Sequence, residues 1–271
     1  MRVVYGAADP EAESGAGGEA LRAAGVEVQG PVWADRIGRA ENPAFFHTSR
    51  HDTPFLALKL AMTLDARIAA GPGVRTQITG VATEREVHRL RTGFDAVMIG
   101  AGTARVDDPR LTPRLVAPGR TMPRRIVLLP DGELPEAASL FQDIEAAPLH
   151  LFVRADASPD AIDELARRGA QVHPVSSNPA GLDLDAVLGV SWKLGIRSVL
   201  CEGGARLAGT LLREKRVHRL YLFIAPTTLG AVGLAAFPDD AGGLAWKAFE
   251  QAFKPVSHGR DTLIVLDRQE M

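Results

Sequence analysis

Three charged residues stand out because each interrupts or ends an apolar segment. Lys59 lies inside the apolar run 55–62, and burying an ammonium group without a partner is costly. Glu202 directly follows the apolar run 198–201, and Asp107 follows a glycine-rich turn. If the three side chains converge, a lysine and two carboxylates tune one another's protonation, as a site for proton transfer requires. A structural ion-pair network is the alternative, and the spacing alone does not separate the two.

Two glycine-rich turns each follow a predicted strand and precede a predicted helix. The first spans residues 99–109 and the second spans residues 201–210. Glycine lets the backbone approach an anion, and a helix N-terminus adds free amides and a positive dipole end. Neither turn has the G-x-G-x-x-G spacing with a later ribose-binding acid, and neither ends in the G-K-[ST] of a Walker A loop. A tight strand–helix turn explains each one alone, whereas two such turns in one α/β chain favour a dinucleotide.

The remaining composition excludes several classes of protein. The chain of 271 residues is 46% apolar and 24% charged with a net charge of −2, which is ordinary for a globular protein and gives no field that attracts nucleic acid or an anionic membrane. The seven histidines show no H-E-x-x-H or H-x-E arrangement, so surface or satisfied polar roles are expected and no metal site is predicted. The single cysteine, Cys201, excludes a disulfide framework, and a cytoplasmic location is the simplest expectation.

Strands alternate with helices from residue 55 onwards. This alternation predicts an α/β fold with a doubly wound, mostly parallel sheet and an antiparallel C-terminal strand. The strands are expected at residues 55–62, 95–99, 125–129, 149–153, 171–175, 198–201, 220–224 and 262–266. The helices are expected at residues 83–91, 158–169 and 183–195, with Ser158 and Asp183 as N-caps.

The first 52 residues form a separate β-α-β-α extension in this interpretation. Short strands are expected at residues 3–5 and 26–28, and helices at residues 19–24 and 33–47. Such a piece is too small to bury a core of its own and is expected to pack on the main body or on a partner. The polar residues 48–54 mark the boundary, so the domains are predicted as 1–52 and 53–271.

Four ordered blocks of sequence resemble a known family. Residues 59–69, KLAMTLDARIA, resemble the KxAxSLDGKIA opening of the reductase half of the RibD/RibG riboflavin-biosynthesis deaminase/reductase family. The later blocks are residues 78–91, residues 102–114 with GT and DDPRLTPR, and residues 202–230 with EGG and APTTLG. Residues 1 to about 50 resemble the tail of the deaminase half, whose zinc motifs are absent from this chain.

The resemblance implies a dihydrofolate-reductase-like fold, a homodimer, and NADPH-dependent reduction of 5-amino-6-(5-phosphoribosylamino)uracil to the ribitylamino compound. Lys59, Asp107 and Glu202 become the candidate catalytic cluster around the sugar carbon that accepts the hydride. Positions that match substrate contacts in the family are Arg75, Arg91, Leu111, Arg114 and Glu202. Positions that match cofactor contacts are Ala61, Gln77, Thr103, Asp107, Gly203, Gly204, Ala205, Arg206, Leu207, Ala208, Gly209 and Thr210.

The chain departs from the family pattern at several of these positions. Ala66 stands where the family has glycine, Arg75 replaces a small polar residue, and Gln77 replaces a tryptophan. A related reductase of another pyrimidine or pteridine is therefore an alternative substrate assignment. A non-catalytic relic that binds NADPH or a deaminase partner is a second alternative, which the survival of Lys59 and Glu202 disfavours.

Overall fold

Residues 1–10, 16–115, 117, 121–179, 181–237 and 248–269 are described by the computed structural model of the chain. The chain divides into two units, Met1–Phe55 and Leu56–Met271. Within the described residues, no helix has both the length and the apolar character that crossing a membrane requires.

The described residues of the first unit form two parallel strands and three short helices. These elements are β1 (Arg2–Val4), α1 (Gly17–Ala23), β2 (Glu27–Gln29), α2 (Asp35–Glu41) and α3 (Pro43–Thr48), with β1 paired to β2. The single helix predicted over residues 33–47 is wrong, because the chain breaks at Asn42. The residue before a proline is disfavoured in the helical conformation, and Pro43 instead starts a helix of its own.

The second unit is built from a large sheet flanked by helices. The strands are β3 (Phe55–Thr63), β4 (Arg67–Ala69), β5 (Ala96–Gly100), β6 (Arg124–Leu128), β7 (Leu149–Arg154), β8 (Gln171–Val175), β9 (Ser177–Asn178), β10 (Gly181–Leu182), β11 (Ser198–Cys201), β12 (Arg219–Ala225), β13 (Leu234–Ala235), β14 (Phe249–Gln251), β15 (Val256–His258) and β16 (Asp261–Arg268). The helices are α4 (Val81–Arg91), α5 (Ala101–Asp107), α6 (Pro159–Arg167), α7 (Leu184–Lys193) and α8 (Ala205–Arg213).

The sheet has the strand order β14-β16-β12-β3-β11-β5-β6-β7-β8, with β15 also paired to β16. Strands β12 and β3 are parallel, and so are the successive pairs from β11 through β5, β6 and β7 to β8. The C-terminal strand β16 runs antiparallel to β12. The predicted α/β fold with a mostly parallel sheet and an antiparallel last strand is therefore confirmed.

Two apolar clusters cover the two faces of the sheet because side chains alternate along each strand. Leu58 and Leu60 of β3 belong to the cluster under α7 and α8, whereas Val97 and Ile99 of β5 belong to the cluster under α5 and α6. Lys59 lies between Leu58 and Leu60, so it faces away from the α7 and α8 cluster. Lys59 thus lies on the other face of the sheet, the face that α5 and α6 cover.

N-caps were predicted for α6 and α7. Asp183 accepts hydrogen bonds from the amides of Asp185 and Ala186 at 3.0 and 3.4 Å, so it caps α7 as predicted. Ser158 occupies the N-cap position of α6, but its side chain makes no capping hydrogen bond. Pro159 at the first helical position contributes to the start of α6 through its fixed backbone angle.

Candidate active site

A cavity of about 520 Å³ opens beside β3, β5 and β11, with α4 and the segment after α5 forming its walls. This size is within the range of small-molecule sites in proteins. Many of the residues predicted from the sequence line it together. They are Lys59, Ala61, Arg75, Gln77, Arg91, Thr103, Asp107, Leu111, Arg114 and Glu202.

Lys59 reaches this cavity from the middle of β3. In the described part of the chain, its ammonium group has neither a hydrogen bond nor a carboxylate oxygen within 4.0 Å. Burial lowers the pKa of Lys59, the charges of Glu202 and Asp107 oppose that shift, and Arg91 adds to it. The lysine is therefore held close to carboxylates without being neutralised by a direct contact.

Glu202 follows β11 and forms a buried ion pair with Arg91 of α4. The Arg91 Nε and Nη2 atoms donate to the two carboxylate oxygens at 2.6 and 3.0 Å. Burial alone would raise the pKa of Glu202, but the charge and hydrogen bonds of Arg91, together with Lys59, lower it to about 2. Glu202 is thus a permanently ionised group at neutral pH.

The pairing changes the role that Arg91 can take. The third guanidinium nitrogen, Nη1, lies 3.4 Å from the carbonyl oxygen of Thr112, so every nitrogen of Arg91 faces an acceptor of the protein itself. Arg91 still lines the cavity, so its predicted contact with the substrate stays a prediction.

Asp107 ends α5 and faces the same cavity. Burial raises its pKa, whereas the charges of Arg75 and Lys59 lower it. The net shift is upward, so Asp107 is easier to protonate than a carboxyl group in water. The pKa shifts of Lys59 and Asp107 both favour the neutral form, whereas the pKa shift of Glu202 favours the charged form. Neighbouring groups whose pKa values are shifted apart are typical of acid–base sites.

The segment after Asp107 lines the cavity in a strained conformation. Asp108, Leu111 and Leu115 have positive φ angles of 42°, 60° and 62°, a region that residues other than glycine rarely adopt. Asp108 is fixed because its carboxylate accepts hydrogen bonds from the amide and the hydroxyl of Ser139 at 2.7 and 2.8 Å. The buried Arg125 donates to the carbonyl oxygen of Arg110 at 3.3 Å. These contacts hold the segment against its local preference.

Three arginines at the cavity are exposed, namely Arg75, Arg110 and Arg114. Arg110 lies 3.9 Å from Asp143, the upper part of the salt-bridge range. Among the described residues, Arg75 and Arg114 have no carboxylate within 4.0 Å. Their guanidinium groups are available to an anionic ligand, which can take two parallel hydrogen bonds from each.

The two glycine turns lie side by side. The amide of Gly204 donates to the Thr103 hydroxyl at 3.2 Å, which joins the start of α8 to α5. A Cβ atom on Gly203 would meet Leu207 at 2.8 Å, so a larger residue there would require Leu207 to move, whereas a Cβ on Gly102 would meet nothing within 4 Å. Gly102 is the second residue of α5, so its amide belongs to the first turn of that helix.

The predicted cofactor run, residues 203–210, is placed differently from the other predicted residues. No residue of this run is among those lining the cavity in the described structure. Ala205 and Ala208 are buried, and Leu207 packs against the core cluster that lies under α7 and α8. The side chain of Arg206, in contrast, is exposed at the start of α8.

His88 is the residue of this site that sequence reasoning missed. It lies on the cavity wall, is only 3% exposed, and accepts a hydrogen bond on Nδ1 from the amide of Arg114 at 3.0 Å. Burial lowers its pKa to about 4, with Arg91 and Arg114 adding to the shift and Glu202 opposing it. The available signal was its spacing, since His88 precedes Arg91 by three residues and shares its helix face.

The chain is similar in sequence to known proteins. Residues 54–257 match the family model of the RibD C-terminal domain. The riboflavin biosynthesis protein RibD of Aquifex aeolicus (strain VF5) is 33% identical over 254 residues, which cover 93% of this chain and 67% of that protein. RibD of Actinobacillus pleuropneumoniae is 32% identical, over 84% of this chain. The chain spans only 60% of the length of that relative.

Solved structures give the same relationship. Acinetobacter baumannii RibD superposes with a TM-score of 0.80 and 26% identity over 99% of this chain and 73% of that one. A Thermotoga maritima protein described as a diaminohydroxyphosphoribosylaminopyrimidine deaminase and 5-amino-6-(5-phosphoribosylamino)uracil reductase gives a TM-score of 0.77 and 26% identity over 99% of this chain and 72% of that one. Sequence and structure agree, and the chain belongs to the RibD C-terminal domain family, the reductases of riboflavin biosynthesis.

Proposed function

We propose that the chain reduces 5-amino-6-(5-phosphoribosylamino)uracil to the corresponding ribitylamino compound with NADPH. The observation that carries this proposal is the cavity that Lys59 and Asp107 both line. Among the described residues neither side chain has a hydrogen bond or an ion pair, and the charge of each shifts the pKa of the other. The Thermotoga relative is described as a reductase of this compound. Lys59 and Asp107 supply the acid–base groups that such a reduction needs.

The residues fit a nicotinamide cofactor, which membership in this reductase family implies. In this proposal the amides in the first turns of α5 and α8 bind the cofactor phosphates, and Thr103 and Ala61 line the adjacent cavity. NADPH, when bound, supplies the hydride. The choice of NADPH over NADH is part of the proposal, and competitive titration of the two cofactors tests it.

The proposed chemistry adds one hydride and one proton to the sugar. A C1′–H bond forms, the bond from C1′ to the ring oxygen breaks, and the released oxygen takes the proton. In the ring-opened imine form of the substrate, the nitrogen takes the proton instead. We assign this proton to Lys59 or Asp107, because their pKa values are shifted towards the neutral range while Glu202 stays ionised.

In this proposal Glu202 supports the charged groups of the site and Arg114 binds the substrate. The Glu202 carboxylate holds Arg91 and places a negative charge beside Lys59, which favours the protonated lysine. The exposed Arg114 guanidinium is assigned to the substrate phosphate, since a charge-assisted contact suits an exposed arginine at the cavity.

A turnover assay tests the proposed function directly. Purified chain, NADPH and the phosphoribosylaminouracil should give oxidation of NADPH with formation of the ribitylamino product. The same assay with the pyrimidine that has not been deaminated, and with a pteridine, tests whether the chain reduces another substrate. Arg75 favours this alternative because its guanidinium group adds a charged hydrogen-bond donor at the cavity. Cofactor binding without turnover of any of these would identify a relic and refute the proposal.

The homodimer implied by the resemblance also stays a proposal, and light scattering of the purified chain measures it. The expected cytoplasmic location is tested by cell fractionation. The division into domains 1–52 and 53–271 is likewise a proposal, tested by expressing residues 53–271 alone and measuring turnover.

A further inference from the structure

The hydrogen bond between His88 and Arg114 defines the state of the histidine ring. The Arg114 amide is the donor and His88 Nδ1 is the acceptor at 3.0 Å, so Nδ1 carries no hydrogen. A neutral ring then carries its hydrogen on Nε2. The nearby guanidinium groups of Arg91 and Arg114 disfavour a second proton on this ring.

The same hydrogen bond fixes the backbone at the residue that is exposed for anion binding. Arg114 lies between Leu111 and Leu115, whose positive φ angles show that the segment does not follow its local preference. A strained segment keeps its conformation only when its surroundings hold it. At Arg114 the contact that does so is the bond from its amide to His88.

The histidine is itself on a well-anchored element. The buried Asp261 of β16 accepts hydrogen bonds from the Gly80 amide and the Thr83 hydroxyl, each at 2.7 Å, at the start of α4. The carboxylate also complements the positive end of the helix. Helix α4 therefore presents His88 from a fixed position.

We propose that His88 is a positioning residue, whose neutral ring sets the backbone of Arg114 so that the guanidinium meets the phosphate of the substrate. This inference rests on the proposed function, because it takes the substrate to be a sugar phosphate. It assigns His88 an effect on substrate affinity rather than on hydride transfer, since the ring acts through Arg114.

Two substitutions separate the two sides of the ring. His88→Asn places a carbonyl oxygen the same number of bonds from the backbone as Nδ1, so it can still accept from the Arg114 amide. His88→Gln reaches the position of Nε2 and loses that acceptor. A backbone hydrogen bond is worth about 0.5–1.5 kcal/mol, so His88→Gln should raise KM for the substrate by roughly twofold to tenfold, with kcat changed less. His88→Asn should recover most of this loss.

A second histidine provides the matched control. His218 Nδ1 accepts from the amide of Leu56 at 2.9 Å, the same kind of bond at a place that does not line the cavity. His218→Gln should lower stability to a similar extent and leave the KM for substrate unchanged. Equal KM values for His88→Gln and wild type, or an equal increase in His88→Gln, His88→Asn and His218→Gln, would overturn the positioning role.

Binding of ribose 5-phosphate and of ribose, measured by calorimetry, keeps this test separate from the proposed reaction. The inference expects ribose 5-phosphate to bind more tightly than ribose in the wild type, and this preference to shrink in His88→Gln. If the wild type lacks turnover but shows this pattern, the proposed function fails and the inference stands. If turnover is present but the preference for the phosphate is the same in all variants, the inference alone fails. Without any preference in the wild type, the inference fails as well.

Discussion

Glu202→Gln tests the electrostatics of the cavity, because glutamine has the shape of a protonated glutamate. The pKa of Glu202 is lowered from 4.5 to about 2: burial would raise it, and the charge and hydrogen bonds of Arg91 overcome that effect. At about 1.4 kcal/mol per pH unit, this difference makes the ionised side chain worth roughly 3 kcal/mol of folding free energy at pH 7. We expect Glu202→Gln to lower the free energy of unfolding by about that amount, as for other broken buried pairs.

The pH dependence has a defined sign. The folded-state pKa is below the unfolded-state value, so the stabilisation is complete above pH 4.5 and is lost as the pH falls through about 2. Urea denaturation at several pH values should therefore show a large difference between wild type and Glu202→Gln at pH 7. That difference should close as the pH approaches 2.

The pair formed by Arg154, the last residue of β7, and Asp156 is a matched exposed control. Arg154 donates to both carboxylate oxygens of Asp156 at 2.8 and 2.5 Å, which is the same two-point geometry. These two side chains are 50% and 68% exposed, against 11% and 10% for Arg91 and Glu202. Exposed pairs are worth about 0–1 kcal/mol, so Asp156→Asn should change stability far less than Glu202→Gln.

We expect Glu202→Gln to change the enzymatic activity as well as the stability. The Glu202 charge raises the pKa of Lys59, so its removal lowers that pKa further and moves the alkaline limb of kcat/KM to lower pH. Loss of a preorganised charge at a reacting centre lowers turnover by about a hundredfold. A variant with wild-type stability at pH 7 and an unshifted pH profile would refute this reasoning.

The strand pattern could be predicted from the sequence because alternation and turn residues are local signals. Strand β3 was expected at residues 55–62 and is Phe55–Thr63, and the glycine turns do join strands to helices. The sequence left open whether Lys59 and Glu202 converge. Both do line one cavity, while their catalytic roles stay predictions.

The partners of the charged residues could not be predicted in the same way. Arg91 and Glu202 are 111 positions apart, and their contact depends on how α4 docks against the sheet. The His88 bond to the Arg114 amide depends on the same docking. The left-handed backbone at Leu111 has no sequence signal either, because this conformation is usually associated with glycine, and here only tertiary contacts impose it.

Three further substitutions follow from the site and its supporting turn. Lys59→Met removes a candidate proton donor, so turnover should fall by about 10²–10⁴-fold. Because burial disfavours the ammonium group, urea denaturation should show equal or greater stability. Preserved turnover would exclude Lys59 from proton transfer. Arg114→Ala should weaken the phosphorylated substrate by about tenfold to a hundredfold and leave NADPH affinity unchanged in separate titrations, since a charge-assisted contact is worth about 1.5–3 kcal/mol; a loss confined to NADPH would reverse the assignment. Ala66→Gly should stabilise the chain, because Ala66 has a φ of 55°, where the family has glycine. The left-handed conformation costs alanine about 1–2 kcal/mol. The greater conformational freedom of glycine in the unfolded chain offsets about 0.5–1 kcal/mol of this, so urea denaturation should show a free energy of unfolding higher by about 0.5–1 kcal/mol. The same change at Ala82, an exposed residue in the first turn of α4, should instead lower stability, by at most about 1 kcal/mol. An equal loss at both positions would show that the turn at Ala66 is not strained.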